Sequence, residues 1–151
     1  MNFYEILKSR GIENNIKKFV AGAIITNEKG EVLLVKRKKD DFMGGIYEIP
    51  SGNLEQEESI YDALLRETKE ETNLEIKKVK SYINQFDYLS SSGNKCRQFN
   101  FEVEVEDGTI VLTEHETYKW IALQDINNEK EISQELKDTL MIYKFNKEKN
   151  I

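Results

Sequence analysis

Cysteine, histidine and proline are almost missing from this chain: each occurs once in 151 residues, as Cys96, His115 and Pro50. A lone cysteine permits no intrachain disulfide and no cysteine-ligated zinc. A lone histidine excludes a His-rich metal site and argues against a Ser-His-Asp triad. No apolar run approaches the ~20 residues needed to span a bilayer. Glu5, Lys8 and Arg10 interrupt the first ten residues, which have neither the apolar core of a signal peptide nor a small-residue cleavage site. The expectation is a cytoplasmic protein without a membrane partner. Basic residues are also outnumbered, 22 Lys and Arg against 28 Asp and Glu, for a net charge of -6. General nucleic-acid binding, which calls for a basic stripe, is therefore not expected. Such a balance does suit a protein that recruits divalent cations, because the cation then supplies the positive charge that a phosphate substrate needs.

What is present describes one globular unit. Hydrophobic residues make up 38% and aromatic residues 10%, enough for a core and too many for a disordered chain. The length fits a single domain over residues 1–151. A short helical pattern at Phe3, Ile6 and Leu7 predicts an N-terminal helix within 1–11, with Gly11 as its stop. The apolar run 19–25 and the segment 31–35 flank a turn at 27–30 and predict a hairpin. Residues 41–53 hold three of the eight glycines and the only proline, the densest loop signal in the chain. Further strands are predicted around 77–86, 98–106 and 117–123. In the second of these, Phe99, Phe101, Val103 and Val105 alternate with polar residues, as in a half-buried strand. A C-terminal helix is predicted at about 133–145, followed by a frayed tail over 146–151.

The central helix, predicted at 59–72, carries the anomaly. Ser59 precedes Asp62 in capping-box fashion, Glu57 and Glu58 suit the positive end of the helix dipole, and Asn73 can take the left-handed closing conformation. At about 100° per residue, Ile60, Leu64, Glu67, Glu71 and Leu74 fall on one stripe, with Glu70 close by. That is the spacing of a core-facing stripe, and carboxylates occupy its middle. Buried carboxylates must be paired or coordinate metal. The bland alternative is a solvated acidic face, since Glu supplies 21 of the 28 acids, and Arg66 and Lys69 could offset local repulsion.

The preceding segment weighs against the bland alternative. From Gly52 the chain runs five residues to Glu58, seven more to Arg66-Glu67, then Glu70-Glu71 and Asn73-Leu74. Residues 52–74 thus resemble the Nudix box, in which a Gly, a Glu, an Arg-Glu pair, a Glu-Glu pair and a closing Gly-apolar pair stand at fixed spacings. Ile49-Pro50-Ser51-Gly52 resembles the Leu-Pro-Gly-Gly loop that leads into the box. The run 32–37 resembles the family's second strand, and Glu114-His115 with Trp120-Ile121 a further family pattern. Asn73 replaces the closing Gly, Ser51 replaces a loop Gly, and Thr68 stands at a usually apolar position. No acidic position is lost.

The resemblance implies an α+β fold, an α/β/α sandwich with a mixed β-sheet between helices. It implies a metal-dependent hydrolase cleaving a diphosphate linkage in a nucleoside diphosphate derivative such as a nucleoside triphosphate, nucleotide sugar or dinucleotide. Glu67, Glu70 and Glu71, with the Ser51 carbonyl, would hold the metal, Mg²⁺ or alternatively Mn²⁺, both suited to hard oxygen donors. The same glutamates, with Arg66 orienting a neighbour, make the catalytic set, and which carboxylate takes the water's proton stays open. Arg37 and Glu114 are candidates for substrate binding. Specificity would come from loops at 38–47 and 86–98, with Tyr47, Phe86, Tyr88 and Trp120 as aromatic residues suited either to stacking or to the core. A homodimer is left open. Two alternatives stand beside this: a non-catalytic nucleotide sensor, which would be expected to lose box acids, and an RNA-end pyrophosphohydrolase, which would need a basic surface.

Overall fold

The computed structural model describes residues 1–41 and 43–149. In chain order the elements are α1 (Phe3–Glu13), β1 (Lys18–Ile25), β2 (Val32–Arg37), β3 (Tyr47–Glu48), β4 (Ser51–Asn53), α2 (Ile60–Thr72), β5 (Ile76–Leu89), β6 (Lys95–Val105), β7 (His115–Ile121), a 3₁₀ turn (Leu123–Asn128) and α3 (Gln134–Lys149). Strands order as β4-β1-β6-β5 in one sheet and β3-β2-β7 in another. The β1–β6 pair is parallel and the remaining pairs antiparallel, so the expected mixed sheet flanked by helices is the observed architecture. No described helix is long and apolar enough to cross a membrane.

The expected hairpin of β1 with β2 does not form. Beyond one antiparallel bridge, Thr26 with Val32, the two strands part and join different sheets. Their composition explains this. Both are apolar on both faces, and each face finds its own cover. Ala21, Ala23, Ile25 and Leu33 pack with α1 and α2 through Leu7, Ile60, Ala63 and Leu64. Ile24, Val32 and Leu34 pack the other way, onto Leu136, Leu140 and Tyr143 of α3.

Strand β6 likewise differs from the half-buried strand its alternation suggests. Phe99, Phe101 and Val103 enter the α2-side core, yet the polar face is buried too, with Asn100 at 0% and Glu102 at 8% exposure. Helix α3 covers it. Glu102 accepts hydrogen bonds from the Tyr143 hydroxyl at 3.0 Å and an ion pair from Lys147 at 2.9 Å. Burial acts to raise that carboxyl, but the bonds from Lys147 and Tyr143 outweigh it and hold it below its ordinary value. Lys147 thereby ties down the last turn of α3, so residues 146–149 are helical rather than frayed. Asn150 and Ile151, the rest of the expected tail, lie outside the described residues.

At the N-terminus the helix runs past Gly11, which is buried inside it beneath the Phe19 ring. Asn14 and Asn15 end the helix instead, the latter at φ 63°. The caps of α2 match their sequence signals. Ser59 Oγ accepts from the Asp62 amide at 3.0 Å, and Asn73 closes the helix in the left-handed conformation at φ 69°. Asn73 also donates from its side chain to the Thr109 carbonyl at 3.2 Å. Left-handed backbone costs a Cβ-bearing residue ~1–2 kcal/mol, which Asn offsets in part. Asn73→Ala is therefore expected to lower stability by about 1 kcal/mol in urea denaturation, and Asn73→Gly to change it by less than half of that. Equal effects of the two substitutions would contradict the cap assignment.

Candidate active site

The site grows from two neighbours in sequence, the short strand β4 and helix α2, which pack face to face. Gly52 lies directly under the Glu67 side chain, and a Cβ there would overlap the Glu67 carboxylate. The glycine that begins the box is thus a close-approach residue, clearing space for an acid. One residue earlier, the Ser51 amide donates to Glu71 Oε1 at 3.0 Å. These contacts dock the acidic stripe of α2 onto β4.

Arg66 organises the next layer. Its Nε and Nη2 each lie 2.8 Å from a Glu58 oxygen, a bidentate pair. Nη1 donates to Glu67 Oε1 at 2.8 Å and to Glu70 Oε2 at 3.1 Å, and Nη2 also reaches the Asn53 carbonyl at 3.0 Å. The Arg66 bonds hold the Glu58 carboxyl below its ordinary range, and the Glu58 bonds in turn raise the guanidinium's affinity for its proton. Glu58 accepts from the Glu55 amide as well, which folds the loop leading into the helix.

Glu71 receives no such cation. It is 4% exposed, and its carboxyl is pushed up to about 9, chiefly by burial, against the lowering effect of the Ser51 amide. Repulsion from Glu48, Glu67 and Glu114 adds to the rise. Glu67, half-buried, is raised as well, again chiefly by burial and despite Arg66.

These acids line a cavity of about 500 Å³. Ser51, Glu67, Glu70, Glu71, Glu114 and Arg37 all reach its wall, while Arg66 lies behind it. Glu70 is the most open of the helix acids, with 56% of its side chain exposed. Glu48 was not anticipated. It sits on β3 and accepts from Arg37 at 3.3 Å and pairs with His115 Nε2 at 2.8 Å, so the single histidine is a buried partner of a cavity acid rather than an incidental loop residue. His115 Nδ1 is buried without a hydrogen-bond partner among the described residues. Only the loop-rich setting just before Pro50 hinted at Glu48, because a two-residue strand has no periodicity to read.

The same cavity has apolar and aromatic lining as well, from Met43, Ile46, Phe86, Tyr88, Leu89 and Leu136. Gln98 and Tyr47 also line it, and Tyr47 is flanked by Lys36 and Lys119. Trp120 packs against the α2-side core and does not line the cavity. The contribution of α3, through Ser133, Glu135 and Leu136, had no signal in local sequence because it depends on how that helix crosses the sheet.

Among the described residues no three acidic, histidine or cysteine side chains are gathered as a finished metal cluster. The donor chemistry nonetheless fits a divalent cation. All the groups are hard oxygens, and Glu71 and Glu67 are held where a carboxylate can ionise cheaply only beside positive charge.

A carboxyl whose folded pKa is raised favours the fold while protonated. Its contribution is full below the ordinary value of 4.5 and is lost as pH rises through about 9. With a chelator present, the unfolding free energy from urea denaturation is expected to fall between pH 6 and 9, with a slope of up to ~1.4 kcal/mol per pH unit. Glu71→Gln should flatten that slope, and equal slopes in the two proteins would contradict the burial assigned to Glu71.

Comparison with known proteins agrees with this geometry. The NUDIX domain family model matches residues 17–141. An 8-oxo-dGDP phosphatase of Danio rerio is 33% identical over 63% of this chain, a match that spans only 27% of that protein. An 8-oxo-dGTP diphosphatase of Buchnera aphidicola is 28% identical over 71% of this chain and 78% of its own length. In three dimensions, the MutT protein from Methanosarcina mazei superimposes with a TM-score of 0.78 at 24% identity, covering 88% of this chain and 97% of that one. The box, the fold that presents it and the family model coincide on the same stretch of residues, and the chain belongs to the Nudix family.

Proposed function

We propose that this chain is a metal-dependent pyrophosphohydrolase that cleaves a diphosphate linkage in a nucleoside diphosphate derivative. The observation that carries this reading is the mixed lining of the cavity. Glu48, Glu67, Glu70, Glu71 and Glu114 share its wall with Phe86 and Tyr88. A diphosphate joined to a planar base has the same two chemistries. The similar proteins described above are named for phosphatase and diphosphatase activity on 8-oxo-guanine nucleotides, which is consistent with this class.

Glu67, Glu70, Glu71 and the Ser51 carbonyl would hold Mg²⁺, or alternatively Mn²⁺. When bound, the metal supplies charge neutralisation for the diphosphate and acidifies an attacking water. The residues of the chain do the rest. Arg66 orients Glu67 and Glu70 through its fork, a role that a lysine would fill poorly. The Ser51 amide fixes one oxygen of Glu71 and so leaves the other to face the site. A cavity carboxylate takes the proton from the water whose oxygen attacks phosphorus, and the bridging P–O bond breaks. Arg37, braced by Glu48, would meet a phosphate or ribose oxygen, and Glu114 on the same cavity wall would assist. Arg37 is also the only basic residue among the described residues of the cavity wall. That favours a small nucleotide over an RNA end, and the full set of box acids favours turnover over sensing alone.

The test is a panel of nucleoside triphosphates, nucleotide sugars and dinucleotides incubated with Mg²⁺. At least one is expected to be cleaved, and Glu70→Gln and Glu71→Gln to lower kcat by about 100-fold or more. A wild-type chain inactive on the whole panel, or variants that match it, would overturn the reading. Gly52→Ala, which drives the Glu67 carboxylate from its seat, is expected to lower kcat at least about 10-fold with secondary structure retained on circular dichroism. Unchanged turnover would show that Glu67 needs no such seat.

A further inference from the structure

Strand register places Val20, Gln98 and Phe86 in one row across the larger sheet, and Gly22, Asn100 and Asn84 in the row beneath. Directly paired residues share a sheet face. The first row, with Asn53 at its edge, lines the cavity. The second row is covered by α3.

A chain of amides joins the two rows. Gln98 Nε2 donates to Asn100 Oδ1 at 2.8 Å, and Asn100 Nδ2 donates to Asn84 Oδ1 at 3.0 Å. Asn84 Nδ2 then donates to Thr139 Oγ1 at 3.0 Å, and the Thr139 hydroxyl donates to the Glu135 carbonyl at 2.9 Å. Gly22 makes room for the upper link. A Cβ there would stand 2.6 Å from Asn100 Oδ1 and 2.8 Å from Gln98 Nε2. The Thr139 hydroxyl has a second, longer acceptor in Asn84 Oδ1 at 3.3 Å; with its shorter bond to Glu135 made, every donor in this relay points away from the cavity, and the last acceptor is a backbone carbonyl, which cannot donate. Reversing the relay would turn the Thr139 proton toward Asn84 and give up the bond to Glu135. The polarity therefore leaves Gln98 Oε1 as the end of the chain, with no donor to it among the described residues.

Gln98 is 9% exposed and stands beside Phe86, whose ring lies 6.2 Å from that of Tyr88. We propose that Gln98 determines specificity, its Oε1 accepting a hydrogen bond from an amino or ring N–H group of a nitrogen heterocycle stacked on Phe86 or Tyr88. A ligand without a donor at that edge displaces water from the amide oxygen and gives nothing back, so it is rejected. The inference deepens the proposed function by naming what the cavity reads in the base, and it rests on that reading for the diphosphate.

The test separates the two. Equilibrium binding of ADP, GDP and CDP to the whole chain, in buffer without divalent ions, is compared with that of purine-riboside 5′-diphosphate, whose ring has neither amino group nor ring N–H. At least one of the three natural nucleotides is expected to bind about 10-fold or more tightly than the donor-free analogue. Gln98→Met should abolish the difference. Thr139→Val, which is not itself a lining residue of the cavity, removes the hydroxyl that sets the polarity and should shrink the difference while leaving the affinity for the donor-free analogue unchanged. Equal binding of all four by the wild type, or an undiminished preference in both variants, overturns the inference even if the triphosphates are hydrolysed with Mg²⁺. A preference that depends on Gln98 without any hydrolysis supports the inference and overturns the hydrolase reading instead.

Discussion

One guanidinium holds four glutamates, Glu55, Glu58, Glu67 and Glu70, and the carbonyl at the end of β4, and the site is arranged around what it leaves unpaired. Arg66 satisfies Glu58 with two bonds and draws in Glu67, Glu70 and the Asn53 carbonyl. Loop and helix are thereby locked into one unit. Glu71, a turn further on and deeper, is beyond its reach and has only the Ser51 amide. A buried carboxylate with one neutral donor and three acidic neighbours is electrostatically incomplete. That incompleteness gives the acidic lining of the cavity its character, and a divalent cation is the natural complement.

The scaffold supplies the constraint in return. β4 is three residues long and sits at a sheet edge, yet it sets both Gly52 and Ser51 against α2. Its partner β1 is buried on both faces, which fixes β4 to the core without any large side chain of its own. On the far side, α3 buries a polar face of β6 and so sets the back wall of the cavity. A small rigid frame thus positions charged groups that would otherwise relax into solvent.

The site was more legible in the sequence than the sheet was. Glu67 and Glu71 betray themselves because acids stand on an apolar stripe, a pattern contained within one helix. Ser59 and Asn73 are equally local, since each cap is a property of its own turn. The hairpin of β1 and β2 failed because local turn chemistry says nothing of which sheet receives each strand. The polar face of β6 was misread for a similar reason: Asn100 and Glu102 look solvated until Thr139 and Tyr143 arrive from 39 or more residues away. Glu48 escaped notice because a two-residue strand has no period.

The central claim is that the buried acids await a divalent cation, and proton release on metal binding tests it most directly. Titration calorimetry with Mn²⁺ or Mg²⁺ at pH 7, in buffers of different ionisation enthalpy, counts the protons lost as metal binds. A Glu71 carboxyl raised to about 9 is protonated at that pH and must give up its proton to serve as a ligand. The expected result is close to one proton released per chain in the wild type and none from that position in Glu71→Gln. Tight metal binding with no proton released, or no binding at all, would contradict the account.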